Sequence, residues 1–331
     1  MTVIAAICIF LVVVLIHELG HFSVAKLVGI RVNEFSIGMG PKILQKEKGD
    51  TKYSLRLIPM GGYVSMEGED DSSQDPRSFN NASVVSRIGV IVAGPIMNFI
   101  LSIVILTIVA FRVGTPTTKI ESVIEDSPAY LVEIKSGDRI RAINSESMES
   151  WGDISKNISS ADPRKDLVIE LERDNKPLSI SVRPGIDELG NRVIGIVPAM
   201  EKSFIKAVKS GFTQTGDFIK SMFKFFELLL KRKVSSKDLS GPVGVVKEID
   251  TAAKMGINVV LFLLAFISVN LGFFNLLPIP ALDGGRLVFL IVELFRGRPI
   301  DEEKEGMVHF VGFILLIGLM LFVTYKDIVN L

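Results

Sequence analysis

Cysteine is almost absent. The one residue of this type, Cys8, lies inside the first apolar run, so no intramolecular disulfide and no cysteine-based zinc site can form. Net charge is absent too: 37 Lys+Arg balance 37 Asp+Glu, which removes any global signal for nucleic acid. Histidine is scarce, at three residues, so metal ligands must come from these three and from carboxylates. No basic residue precedes the first apolar run and no small-residue cleavage site follows it, which argues for a retained helix over a removed signal peptide. No internal repeat is visible, and inverted repeats are what a transporter would show.

Apolar residues are abundant instead. They make up 48% of 331 residues, and mean hydropathy is +0.42, too apolar for an ordinary soluble domain. The 22% of charged residues are too many for a bare bundle of membrane helices. Both figures fit a polytopic α-helical membrane protein with an inserted water-facing part. A spanning helix needs roughly 20 mostly apolar residues. Four stretches qualify: 1–28, 88–111, 256–277 and 307–325. Basic residues cluster after the first span, from Lys26 to Arg56, and Arg87 abuts the second. The positive-inside rule then makes 29–87 cytoplasmic and puts both termini outside.

Between the spans the pattern changes. Residues 29–87 alternate apolar and polar positions around Gly49-Asp50 and Gly61-Gly62, which predicts short β-hairpins, a strand platform able to dip toward the first span, followed by the acidic connector "EGEDDSSQD". Residues 115–198 carry short β-type runs around a "SPA" turn (Ser127 to Ala129) and a "SGDRI" turn (Ser136 to Ile140), with strands 167–172 and 178–182 joined through residues 174–177. They resemble a bacterial, circularly permuted PDZ domain, which implies an extracytoplasmic α+β domain able to take an extended peptide end at a sheet edge. Residues 199–255 turn to helical period, and 203–233 reads as an amphipathic helix pair that lies on the outer membrane surface or packs against the PDZ-like domain. Residues 278–306 are expected as a loop containing "LDGG".

The chemistry sits in "HELGH", His17 to His21, at the end of the first apolar run. Ionisable groups in hydrocarbon are costly and usually mark working sites. His17 and His21 stand four apart and share a helix face. In an H-E-x-x-H pattern two imidazoles hold zinc, a third protein ligand completes the set, water takes the open position, and the glutamate is the base. Asp283, just past the third span, is the strongest third ligand, with Glu293 in reserve; His309, at the start of the fourth span, reads as an interfacial histidine.

With "HELGH" in a first span and "LDGG" after a later one, the chain resembles the site-2 protease family of intramembrane zinc metalloproteases. "AGPIMNF" (Ala93 to Phe99), "GGYVSMEGE" (Gly61 to Glu69) and "SGPVG" (Ser240 to Gly244) place the resemblance in the bacterial RseP/RasP branch. It implies one Zn2+ per chain held by His17, His21 and Asp283, with Glu18 as catalytic base. It also implies that Asn98 and Asn275 contact the substrate backbone or support the site, and that Gly61 and Gly62 contact substrate. The implied partners are the lipid bilayer of a bacterial cell membrane and single-span membrane proteins, either anti-sigma-factor-like and already trimmed outside or remnant signal peptides, cleaved in regulated intramembrane proteolysis. The PDZ-like domain would screen them, and this chain has room for one such domain where some relatives carry two. Two rival readings are a proton-coupled transporter and a catalytically inactive PDZ scaffold. The missing repeats oppose the first, and a scaffold has no need of the complete polar set.

Overall fold

The computed structural model describes residues 2–69, 73–162, 164–187, 190–231, 233 and 241–329. Residues 70–72 of the acidic connector, Ser240 of "SGPVG" and most of 232–240 lie outside the described residues. The chain divides into two compact units, residues 1–107 with 211–331, and residues 108–210.

Among the described residues, four helices are long and apolar enough to cross a membrane: α1 (Thr2–Leu27), α2 (Val84–Val113), α7 (Ile257–Asn275) and α9, whose spanning part is Glu303–Val329 of Glu302–Val329. α2 and α9 run past the apolar stretches 88–111 and 307–325, because the polar residues flanking them continue the helix, whereas α1 and α7 lie within 1–28 and 256–277. On α1 the buried positions Ala6, Ile9, Val13, His17, Gly20, His21 and Ala25 recur every three or four residues, so the histidines lie on the face that packs inward.

Strands β1 (Val32–Lys48) and β2 (Thr51–Met66) follow α1. They differ from separate short hairpins: both are long and folded back on themselves. Residues 34–37 have residues 62–65 on one edge and residues 52–55 on the other, while 44–48 pairs with 51–55. Gly38, Gly40 and Gly61, all at positive φ, make the bends. A core of Ala25, Ile30, Val32, Met66, Phe79, Val90 and Leu290 fixes this ribbon to α1, α2 and the later helix α8 (Asp283–Arg296).

Residues 108–210 hold β3 (Thr115–Val123), α3 (Pro128–Leu131), β4 (Arg139–Ile143), β5 (Glu146–Ser147), α4 (Trp151–Ser160), β6 (Leu167–Arg173), β7 (Lys176–Val182), β8 (Gly185–Ile186), β9 (Arg192–Val193) and β10 (Ile196–Glu201). The main sheet runs β10-β3-β4-β6-β7. Leu167, Ile169 and Leu171 alternate inward along β6 and join Ile140, Ile143, Ile154 and Ile194 in its core. Asp174 and Asn175 turn with positive φ, so the β6–β7 loop has two residues and Lys176 and Pro177 already belong to β7. Asp138 is buried and takes two hydrogen bonds from Arg173, each 2.7 Å, and one from the Lys135 N–H at 2.8 Å. Burial alone would raise the Asp138 carboxyl, but these donors prevail and hold it below the ordinary range.

Two helical expectations are corrected. α5 (Phe204–Leu230) is one continuous helix, followed separately by α6 (Pro242–Met255). Its part after residue 210 packs along membrane helices through Phe218 on Phe262 and Phe266, and through Phe223 and Phe226 on Phe273. Nothing between 204 and 230 breaks the helix, and the aromatic face finds α7 as its partner. The stretch expected as a loop over 278–306 is largely α8 (Asp283–Arg296), an amphipathic helix with Gly284, Gly285, Leu290 and Glu293 buried.

Candidate metal centre

His17 and His21 end on one atom-sized spot because α1 places them one turn apart and α2 fixes each ring from behind. The His21 Nδ1 donates to the Val90 carbonyl at 2.8 Å, which leaves Nε2 with a free lone pair. The Asn98 side-chain amide lies 3.1 Å from His17 Nδ1. Turning its oxygen to that ring lets Nδ1–H donate and gives the buried, partnerless Oδ1 its hydrogen bond. Both Nε2 atoms then face inward, 3.2 Å apart.

Asp283 opens α8 and brings the third group. Its Oδ2 lies 3.1 Å from His17 Nε2 and 3.5 Å from His21 Nε2, and the atom is buried with no hydrogen-bond donor. The ligand atoms of His17, His21 and Asp283 all lie within 4.8 Å of one another. Three lone-pair donors aimed at each other in a buried space repel unless a cation joins them. Two neutral imidazoles and a carboxylate are a donor set that zinc takes, so the residues fit the metal.

Glycine makes the close approach possible. A Cβ on Gly94 would lie 2.6 Å from His21 Cε1 and 2.9 Å from His17 Cε1, and one on Gly20 would lie 2.7 Å from the Ala93 carbonyl carbon. Helices α1 and α2 therefore cross at these two residues, with the imidazoles on either side of Gly20.

Glu18 points to the ribbon. The Val64 N–H donates to its Oε2 at 3.1 Å, and a Cβ on Gly62 would lie 3.8 Å from its Cγ. Beyond it Arg286, one turn after Asp283, forms an ion pair with Glu69. A cavity of about 370 Å³ borders Asp283 and is lined also by Ala281, Leu282, Arg286, His309 and Phe313.

Several expectations change here. Asn98 is fully buried against His17, which favours support of the site over a substrate contact, the two roles the resemblance implies. Asn275, at the end of α7, has its Nδ2 3.4 Å from His17 Nε2 and so borders the cluster. Gly62 sits beside Glu18, whereas Gly61 makes a bend against Met39. The reserve ligand Glu293 is paired with Arg87 in the core, and His309 accepts a hydrogen bond from Ala281, so neither joins the cluster. Val64, Gly94, Glu69 and Arg286 were not singled out from sequence. Three of them lie inside "GGYVSMEGE" and "AGPIMNF", but a motif does not say which atom faces the site.

The profile of Peptidase family M50 matches residues 5–319. A candidate zinc metalloprotease of Clostridium acetobutylicum is 39% identical over 99% of this chain and 97% of its own length. The regulator of sigma-W protease RasP of Bacillus subtilis is 35% identical over 100% of this chain and 99% of its own, in an alignment of 417 positions. Among solved structures, the PDZ domain of the SdrC-like protein from Listeria innocua covers 27% of this chain and 96% of its own, at 28% identity and a TM-score of 0.24.

Proposed function

The chain belongs to peptidase family M50, and on that premise we propose that it hydrolyses peptide bonds within or near the membrane-spanning segments of single-span membrane proteins. It is a zinc metalloendopeptidase with four membrane-spanning helices. The observation that carries the assignment of residues is the convergence of His17, His21 and Asp283 beside Glu18.

In this reading His17, His21 and Asp283 hold the zinc. When bound, zinc supplies a Lewis acid that polarises the scissile carbonyl and makes water nucleophilic near neutral pH. Asn98 and the Val90 carbonyl keep each ring's proton on Nδ1 and its lone pair on Nε2. Glu18 is the base. Its Oε2 is held by Val64, which leaves Oε1 to take the proton of the attacking water and later deliver it to the leaving amine nitrogen. A substrate helix must first unwind, since its carbonyls are bonded internally. The unwound strand can lie beside residues 62–65, the edge of β2 that already reaches Glu18.

Substrates of this kind are anti-sigma-factor-like proteins already trimmed outside, or remnant signal peptides, in regulated intramembrane proteolysis. Residues 115–198, read as an extracytoplasmic PDZ-like domain, screen them by their outer part. Residues 29–87 lie on the cytoplasmic side and both termini outside. Cysteines at Lys46 and Asn157 in a Cys8→Ser background should therefore react from opposite sides of the membrane.

The deciding experiment measures zinc and cleavage on the same purified variants. His17→Ala, His21→Ala and Asp283→Ala should lose zinc and activity together. Glu18→Gln should keep zinc and lose cleavage of a single-span substrate. Full zinc in Asp283→Ala would reject the ligand assignment, and full activity in Glu18→Gln would reject the base.

A further inference from the structure

Ala281 stands two residues before Asp283 with φ at 72°. Among the described residues of its unit it is the one non-glycine residue at positive φ, a conformation strained for any L side chain. Something must hold it there. Its N–H donates to His309 Nδ1 on α9 at 2.8 Å. Nδ1 accepts, so the ring proton is on Nε2, which faces the Glu305 carboxylate at 3.8 Å. The same ring packs on Phe289 of α8, with centroids 5.6 Å apart.

The grip extends on both sides of the loop. One turn along α9, a Cβ on Gly312 would lie 2.7 Å from the Pro280 carbonyl oxygen, so the helix rests directly on Pro280. From the other side, a Cβ on Gly285 would lie 2.6 Å from the Ile279 oxygen, so α8 is folded tightly against the same loop. His309 is therefore the polar contact in an otherwise steric clamp, and it acts on the strained residue.

We propose that His309 is a positioning residue for the metal centre: by accepting from Ala281 N–H it fixes the left-handed turn that aims Asp283 at His17 and His21. The proposal rests on Asp283 being a zinc ligand. His309 itself stays outside the donor set.

The test is the rate at which full-length, detergent-solubilised protein releases zinc to excess chelator, measured with zinc content. His309→Phe removes the acceptor and should release zinc roughly tenfold faster, the usual scale for a lost outer partner. His309→Asn places an amide oxygen near the position of Nδ1 and should stay within about threefold of wild type, which a ligand would not permit. Ala281→Gly adopts the turn without strain, so adding His309→Phe to it should change release by less than about threefold. Wild-type release from His309→Phe would overturn the clamp, and so would equal release from His309→Phe and His309→Asn. An undiminished effect in the Ala281→Gly background would reduce His309 to general packing and also overturn it. Wild-type protein without tightly held zinc would sink the ligand reading itself and the clamp with it.

Discussion

The Val64 backbone N–H and the Glu18 carboxylate are hydrogen-bonded at 3.1 Å, which ties the edge of a β-ribbon to the glutamate of the H-E-x-x-H helix. One backbone donor thus sets the direction of a side chain that would otherwise be free to rotate. The neighbouring Gly62 allows it, because a Cβ there would lie 2.7 Å from the Ser36 carbonyl oxygen. Gly62→Val should push this edge outward. We expect kcat to fall about 100-fold, as for other misplaced catalytic groups, with zinc content unchanged. Single-turnover cleavage with parallel metal analysis checks this, and loss of zinc would contradict it.

Asn98 gives a second outcome. Asn98→Leu leaves the His17 Nδ1–H without an acceptor in a buried site and should weaken zinc binding by about 10- to 100-fold. Asn98→Asp keeps an oxygen at the ring and should bind zinc within a few-fold of wild type. If both variants bind equally poorly, Asn98 matters by its packing alone.

The buried Arg87–Glu293 pair separates structure from chemistry. Glu293→Leu alone strands a buried guanidinium and should cost about 3–5 kcal/mol of stability. Arg87→Met with Glu293→Leu should recover most of that loss, and the double variant should keep its zinc. A double variant that folds without zinc would return Glu293 to the ligand set.

Residues 108–210 carry their own pH dependence. Asp138 is depressed in the folded state, so its stabilisation is complete above the ordinary carboxylate range and is lost as pH falls through the folded value. Limited proteolysis of full-length protein should show cleavage within 108–210 rising below about pH 4, near the ordinary aspartate value. Asp138→Asn should flatten that response, and an unchanged profile in this variant would exclude Asp138 as its source.

Much of this was legible in the sequence because the forces involved are local or compositional. Apolar runs mark the four long helices, and "HELGH" fixes a face through helical period alone. Asp283 is conspicuous as a carboxylate among Pro, Leu and Gly just past a span. What stayed hidden depends on partners distant in sequence. An amide such as Asn98 suits a substrate contact or a ring support equally until α2 is laid against α1. Pro278, Pro280, Gly284 and Gly285 argue for a loop around Asp283; the glycines instead serve close packing in the first turn of α8. The α5 helix shows an amphipathic period, and period alone does not tell a lipid surface from the phenylalanines of α7.

The crossing of α1 and α2 at Gly20 and Gly94 has a consequence for how the protein is made. Both imidazoles, with the groups that orient them, come from the first hundred residues of the chain. The carboxylate arrives only after residues 99–282 have been synthesised. A nascent chain thus presents two preset nitrogen donors while residues 99–282 are being made, one short of the three protein ligands of a catalytic zinc site. If Asp283 is the third ligand, hydrolytic competence is deferred until α8 is in place.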